Sequence, residues 1–110
     1  RDNWYDARDL SRDDRYQIKS MALIAERARQ AFLEHHPIAI DAANRDRIHR
    51  TLSLGPLVEV FALDMRSFRG ANSENSQRVL DPTSSILGAT QLDWLKTRLA
   101  ASRATWKVIA

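Results

Sequence analysis

Charge gathers directly behind the most apolar run of the chain. The stretch LVEVFALDMRSFR, residues 57–69, begins with Val, Phe and Leu in close succession and ends in Asp64, Arg66 and Arg69. One carboxylate and two guanidinium groups within six positions could position a phosphate or similar oxyanion. The planar guanidinium fork gives two hydrogen bonds to two oxygens, and its charge is permanent. The apolar run itself reads as a strand buried on both faces of a mixed or parallel sheet. In open α/β sheets the groups that meet ligands lie just beyond the carboxyl ends of such strands, which makes Asp64 and Arg66 the first candidates. Spacing alone leaves a second role open, in which Asp64 pairs with a nearby arginine and simply fixes the loop after the strand.

The other chemistry-bearing residues carry less. His35 and His36 are neighbours near a helix end, which turns them in different directions, and His49 is isolated. Surface or helix-terminal roles are expected for these histidines, since a metal site would need further ligands to converge on them. Asp2, Asp6, Asp9, Asp13 and Asp14 are dense enough to suggest a hard cation, but they lack the glycine and terminal glutamate of an EF-hand loop. A solvated segment with helix-start carboxylates explains them. HExxH, Walker, GxGxxG and GxSxG patterns are absent, and no spacing of Ser, Thr and His suggests a nucleophilic triad. Trp94 and Trp106 read as core or near-core aromatics.

Bulk properties bound the class. With 110 residues, 44% hydrophobic and 28% charged, the chain suits one folded domain with an adequate but not generous core. The net charge of +3 comes from 17 basic and 14 acidic residues that are scattered together. Nucleic-acid binding, which needs a concentrated basic face, is therefore not expected. The lack of cysteine rules out disulfides and thiolate metal sites. No stretch approaches the ~18 apolar residues of a membrane span, and no signal peptide is visible. The chain opens on Arg1 and closes on Ala110 inside the apolar run 106–110, so a segment of something longer is expected.

Several elements must position these groups. Ser11 with Asp14 resembles a capping box and opens a helical pattern that runs to Pro37. Ile18, Met21, Ala22, Ala25, Ala28, Ala31 and Phe32 form its contact face. After a linker over 38–46, apolar and polar residues alternate over 48–54 as in a strand, and Gly55 and Pro56 would turn it into an antiparallel hairpin with the following run. Residues 70–87 have no period, and loops of that length are uncommon unless functional or disordered. Thr90 with Asp93 repeats the capping pattern for a helix with Leu92, Leu95 and Leu99 on one face, ending near Ser102. A last strand covers 105–110. The expectation is an α/β fold in the order helix, strand, strand, helix, strand, with a right-handed β-α-β crossover at its end.

Three segments carry a family resemblance. RDNWYD, FALDMRSFRGANSEN and ILGATQLDWLKTRLAASRATWKVIA resemble, in order, segments of the PhoD-like alkaline phosphatases of the metallophosphoesterase superfamily. The family's Leu-Asp-x-Arg-x-x-Arg is matched by Leu63, Asp64, Arg66 and Arg69, and its Leu-Gly-x-x-Gln-x-x-Trp-Leu by Leu87, Gly88, Gln91, Trp94 and Leu95. Ser102 and residues 104–109 match a further run.

The resemblance implies that residues 1–110 are one partial domain, an interior piece of a metallophosphoesterase-type sandwich. The parent would hydrolyse phosphate mono- or diesters with calcium and iron, or other divalent metals, which lower the pKa of a bound water. The ligand motifs fall before Arg1 and after Ala110, so no metal is expected in this chain and it should be inactive alone. Asp64, Arg66 and Arg69 would lie toward the catalytic edge and orient phosphate or its surroundings, and Asn3 and Trp4 would adjoin the metal motif. A secreted or periplasmic location is implied. Uncovered sheet edges and helix faces would drive self-association. The alternative is an interaction module that keeps the scaffold, does no chemistry and stays monomeric.

Overall fold

In a computed structural model, which describes residues 3–74 and 76–110, the apolar run behind Pro56 forms the middle strand of a three-stranded sheet. Strand β1, Arg50–Leu54, pairs antiparallel with β2, Val58–Ala62, in a register that sets Leu52 opposite Val60. Strand β3, Trp106–Ile109, pairs parallel with β2 on the other side, giving the order β1-β2-β3. The hairpin turns at Gly55, whose φ of +69° is reached without steric cost only by glycine. A parallel neighbour needs a crossover, and the helix α2, Gly88–Ala101, lies between β2 and β3 in the chain. Together with α1, Met21–His35, the element order is the expected helix, strand, strand, helix, strand.

The sheet is less sheltered than its sequence suggests. Only Phe61 of β2 is fully buried, its neighbours are half-buried, and β3 is exposed throughout. The expectation of a strand buried on both faces therefore fails: apolar composition permits burial, but among the described residues no layer closes over both faces. Trp106 is 67% exposed rather than part of a core, whereas Trp94 is half-buried. Among the described residues the buried apolar set is Leu10, Met21, Ala25, Phe61 and Leu95. The radius of gyration of 16.4 Å exceeds the ~13 Å of a compact domain of about 100 residues, so the core is thinner than composition implied.

Helix α1 begins nine residues later than the capping box at Ser11 suggests, with Ser20 as its cap and the Ser20 hydroxyl accepting from the Leu23 N–H at 3.3 Å. Ser11 instead donates its N–H and hydroxyl to the Asp9 carboxylate at 2.8 and 2.9 Å, and Asp13 holds Arg15. Short polar side chains that bond nearby backbone offer an alternative to helix, and residues 11–19 take it as turns. Asp9 and Asp13 thus stabilise turns, and Asp6 and Asp14 lie in turns rather than at a helix start, while Asp2 lies outside the described residues. The alanine face of α1 buries Met21 and Ala25 but leaves Ala22, Ala28 and Ala31 exposed. The helix stops as expected before Pro37, with His36 donating its N–H to the Phe32 carbonyl at 3.1 Å.

Helix α2 starts ahead of Thr90, so Thr90 and Asp93 do not cap it; Leu87 precedes the first turn without a side-chain bond. It buries Gln91 and Leu95, while Leu92 is exposed. The long loop before it contains a short 3-10 turn, Pro82–Ser84, with Asp81 accepting from the Thr83 N–H at 2.8 Å. Asn75 lies outside the described residues. Among the described residues no helix is long and apolar enough to cross a membrane.

Candidate functional site

The end of β2 is shaped by one carboxylate. Asp64, 7% exposed, accepts through Oδ1 from the backbone N–H groups of Arg66 and Ser67, both at 2.9 Å. This turns the chain sharply out of the sheet. No ion pair joins Asp64 to a described arginine, so it fixes the loop through main-chain donors rather than through an arginine. Behind it, the fully buried Gln91 of α2 accepts from the Asp64 N–H at 2.7 Å and donates to the Asp64 carbonyl at 2.9 Å and to the Leu87 carbonyl at 3.1 Å. Sheet, loop and helix meet at this one residue.

The turn directs Arg66 toward the start of the chain. Arg66 Nη2 donates to Asn3 Oδ1 at 3.1 Å, across 63 positions, and Asn72 Nδ2 donates to the Asn3 carbonyl at 2.7 Å. Asn3 adopts φ +52°, a left-handed conformation that Asn tolerates better than most residues. Trp4, Arg66, Ser67 and Asp64 then line a cleft of about 240 Å³ with Ala25, Ala28, Arg29, Phe32 and Ile48. Of the residues singled out from sequence, Asn3, Trp4, Asp64 and Arg66 therefore come together. Arg69 does not join them: its side chain makes no hydrogen bond or ion pair with a described residue and lines neither this cleft nor the adjoining one.

A second cleft of about 340 Å³ shares Arg29, Asp64 and Ser67 with the first and adds Arg47, His49, Phe68 and Trp94 among its lining. His49 departs from the expected surface role: it is 4% exposed, edge-on to Trp94 and Phe68 at ring-centroid distances of 4.6 and 5.5 Å. Strand period had set it with Thr51 and Ser53 on a polar face, yet that side at the start of β1 looks onto the aromatics of the loop and α2. Burial lowers the His49 pKa; Arg47 and Arg50 push in the same direction, and Asp64 opposes them. The charged form of the imidazole is thereby disfavoured, and its buried Nδ1 has no hydrogen-bond partner among the described residues. His35 and His36 are exposed at the end of α1, as expected.

Arg29, Ser67 and Gln91 take roles that residue spacing alone does not assign. Arg29 interrupts the apolar face of α1 between Ala25 and Phe32, and Ser67 stands three positions after Asp64, the spacing at which an Asp side chain commonly meets a later N–H. Both signals are local and legible. The ligands for a metal are another matter: among the described residues no group of three or more His, Asp or Glu side chains converges, and Asp64 Oδ1 is already engaged. The residues present do not fit a metal centre of their own. What they offer is fixed positive charge, from Arg29 and Arg66, around a tightly turned strand end, while Arg47 is paired with Asp41.

The chain is 28% identical over 102 residues to alkaline phosphatase D of Bacillus subtilis (strain 168), an alignment covering 84% of this chain and 18% of that relative. The chain thus spans less than a fifth of the relative's length. No solved structure matches it. The family model for PhoD-like phosphatase matches residues 1–110. Match and motifs run the whole length of the chain, and it belongs to the PhoD-like phosphatase family.

Proposed function

We propose that this chain is an interior segment of a metal-dependent phosphatase that hydrolyses phosphate mono- or diesters, supplying phosphate-orienting groups rather than metal ligands. The observation that carries the reading is Arg66: the Asp64 turn sets its backbone, and Asn3 holds one arm of its fork. A guanidinium so restrained binds two non-bridging phosphoryl oxygens in one orientation and offsets the charge that builds on them. Asp64 does not touch the substrate in this scheme but aims the arginine through the turn. Arg69 acts at longer range, as part of the positive field at the sheet edge.

In this reading the parent's metals are held by residues outside the chain, the 110-residue chain alone is inactive, and the enzyme works outside the cytoplasm. The test compares hydrolysis of p-nitrophenyl phosphate and bis(p-nitrophenyl) phosphate by the protein in its full natural length and by the 110-residue chain, with and without a chelator. Chelator-sensitive hydrolysis by the longer protein alone supports the proposal. Metal-dependent turnover by the short chain would overturn the division between positioning groups and ligands, and no turnover by either would sink the phosphatase reading.

A further inference from the structure

Arg29 and Arg66 come from different elements, α1 and the loop after β2, and line one cleft together with Ser67. Arg29 Nη2 reaches the Ser67 hydroxyl at 3.5 Å, and Arg66 Nη2 reaches Asn3. Neither guanidinium forms an ion pair with a described carboxylate. Each also keeps a buried N–H without an acceptor among the described residues, Nε of Arg29 and Nη1 of Arg66. The rest of the lining is largely apolar, with Trp4, Ala25, Ala28, Phe32 and Ile48. Asp64 is the acidic member of the lining, and its Oδ1 is occupied by two backbone donors.

Two cations with unsatisfied donors in a partly apolar cleft are costly unless an anion compensates both. We infer that Arg29, Ser67 and Arg66 form a subsite for one phosphate-type oxyanion, with Arg29 a phosphate-binding residue from outside the strand-end motif. Small rotations of the two guanidinium groups exchange their orphan N–H groups for charge-assisted bonds to separate oxygens, and the Ser67 hydroxyl, released from Arg29, donates to a third. Approach from two elements distinguishes a tetrahedral oxyanion from a planar carboxylate, which one arginine fork satisfies alone. The assignment rests on the phosphatase reading for its substrate but not for its anion chemistry.

The experiment measures inorganic phosphate binding by calorimetry, and its inhibition of p-nitrophenyl phosphate hydrolysis, in the full natural-length protein and its Arg29→Met and Arg29→Lys variants. Phosphate affinity and KM should both weaken at least about tenfold in R29M and recover in part in R29K, which restores charge without the fork. An unfolding midpoint for R29M equal to or above that of the unsubstituted protein, taken without phosphate, separates lost binding from lost folding. Phosphate affinity within twofold of the unsubstituted protein in a folded R29M overturns the subsite. If no ester is hydrolysed but phosphate binds in an Arg29-dependent way, the phosphatase reading fails and the subsite stands.

Discussion

The side-chain amide of Gln91 both accepts from the Asp64 N–H and donates to the Asp64 carbonyl, across 27 positions. A single buried side chain thus completes the backbone bonding of Asp64, two positions beyond the end of β2. Removing it leaves two buried main-chain groups without partners.

Gln91→Leu should therefore destabilise the protein by about 1–3 kcal/mol although it adds apolar volume to the core, because an orphaned buried polar group costs its full desolvation. The urea midpoint checks this. A midpoint equal to that of the unsubstituted protein would mean that the amide clasp is dispensable.

Arg66→Ala should lower kcat/KM of the full natural-length protein at least about tenfold, the equivalent of ~1.4 kcal/mol in the transition state, with a much smaller change in unfolding midpoint. Asn3→Ala should give a weaker defect of the same kind, since it removes one restraint on the fork. Unchanged turnover in R66A would end the orienting role.

His49 predicts a stability change with pH. Its folded pKa lies below the ordinary 6.5, first through burial and then through Arg47, with Arg50 adding to the shift and Asp64 opposing it. The unfolded imidazole then binds a proton before the folded one, so stability is complete above pH 6.5 and declines as pH falls from there toward the folded pKa. The difference in unfolding free energy between the unsubstituted protein and His49→Phe should shrink or reverse on going from pH 7.5 to pH 5. A difference independent of pH would show that the ring titrates freely.

Two glycines offer a matched comparison. Gly55 and Gly88 share a φ of +69°, but a Cβ at Gly55 meets nothing within 4 Å, whereas at Gly88 it meets the Phe68 Cβ at 2.9 Å. Alanine at Gly55 should cost about 1–2 kcal/mol, the price of the left-handed conformation for an L-residue. Alanine at Gly88 should cost more, because Phe68 also packs on His49. Equal urea midpoints for the two variants would exclude the packing contribution.

The sheet margins carry exposed apolar residues, with Leu54, Leu57, Trp106, Val108 and Ile109 all open to solvent. Strands β1 and β3 are the two edges of the sheet, and such edges template pairing with another chain. The 110-residue chain should sediment with an apparent mass that rises with concentration, and Trp106→Lys combined with Val108→Lys, on one face of β3, should reduce it. A monomer at all concentrations would favour the stand-alone interaction module over a segment with uncovered surfaces.

Local pattern was enough to read the order of elements, the hairpin at Gly55 and the charged strand end, because hydrophobic period, glycine and proline act within a few residues. Asp64 and Arg66 stood out for the same reason: an abrupt change from apolar to charged marks the end of a buried segment. The start of α1 was not legible, since Ser11 and Ser20 are both competent caps and the choice fell to Asp9, whose carboxylate takes Ser11 into a turn. Only the tertiary structure joined Asn3 to Arg66, placed Arg29 beside Ser67 and buried His49 against Trp94. These contacts link residues far apart in the chain, and the energy of a long-range pair depends on how sheet, loop and helix converge rather than on any neighbour in sequence.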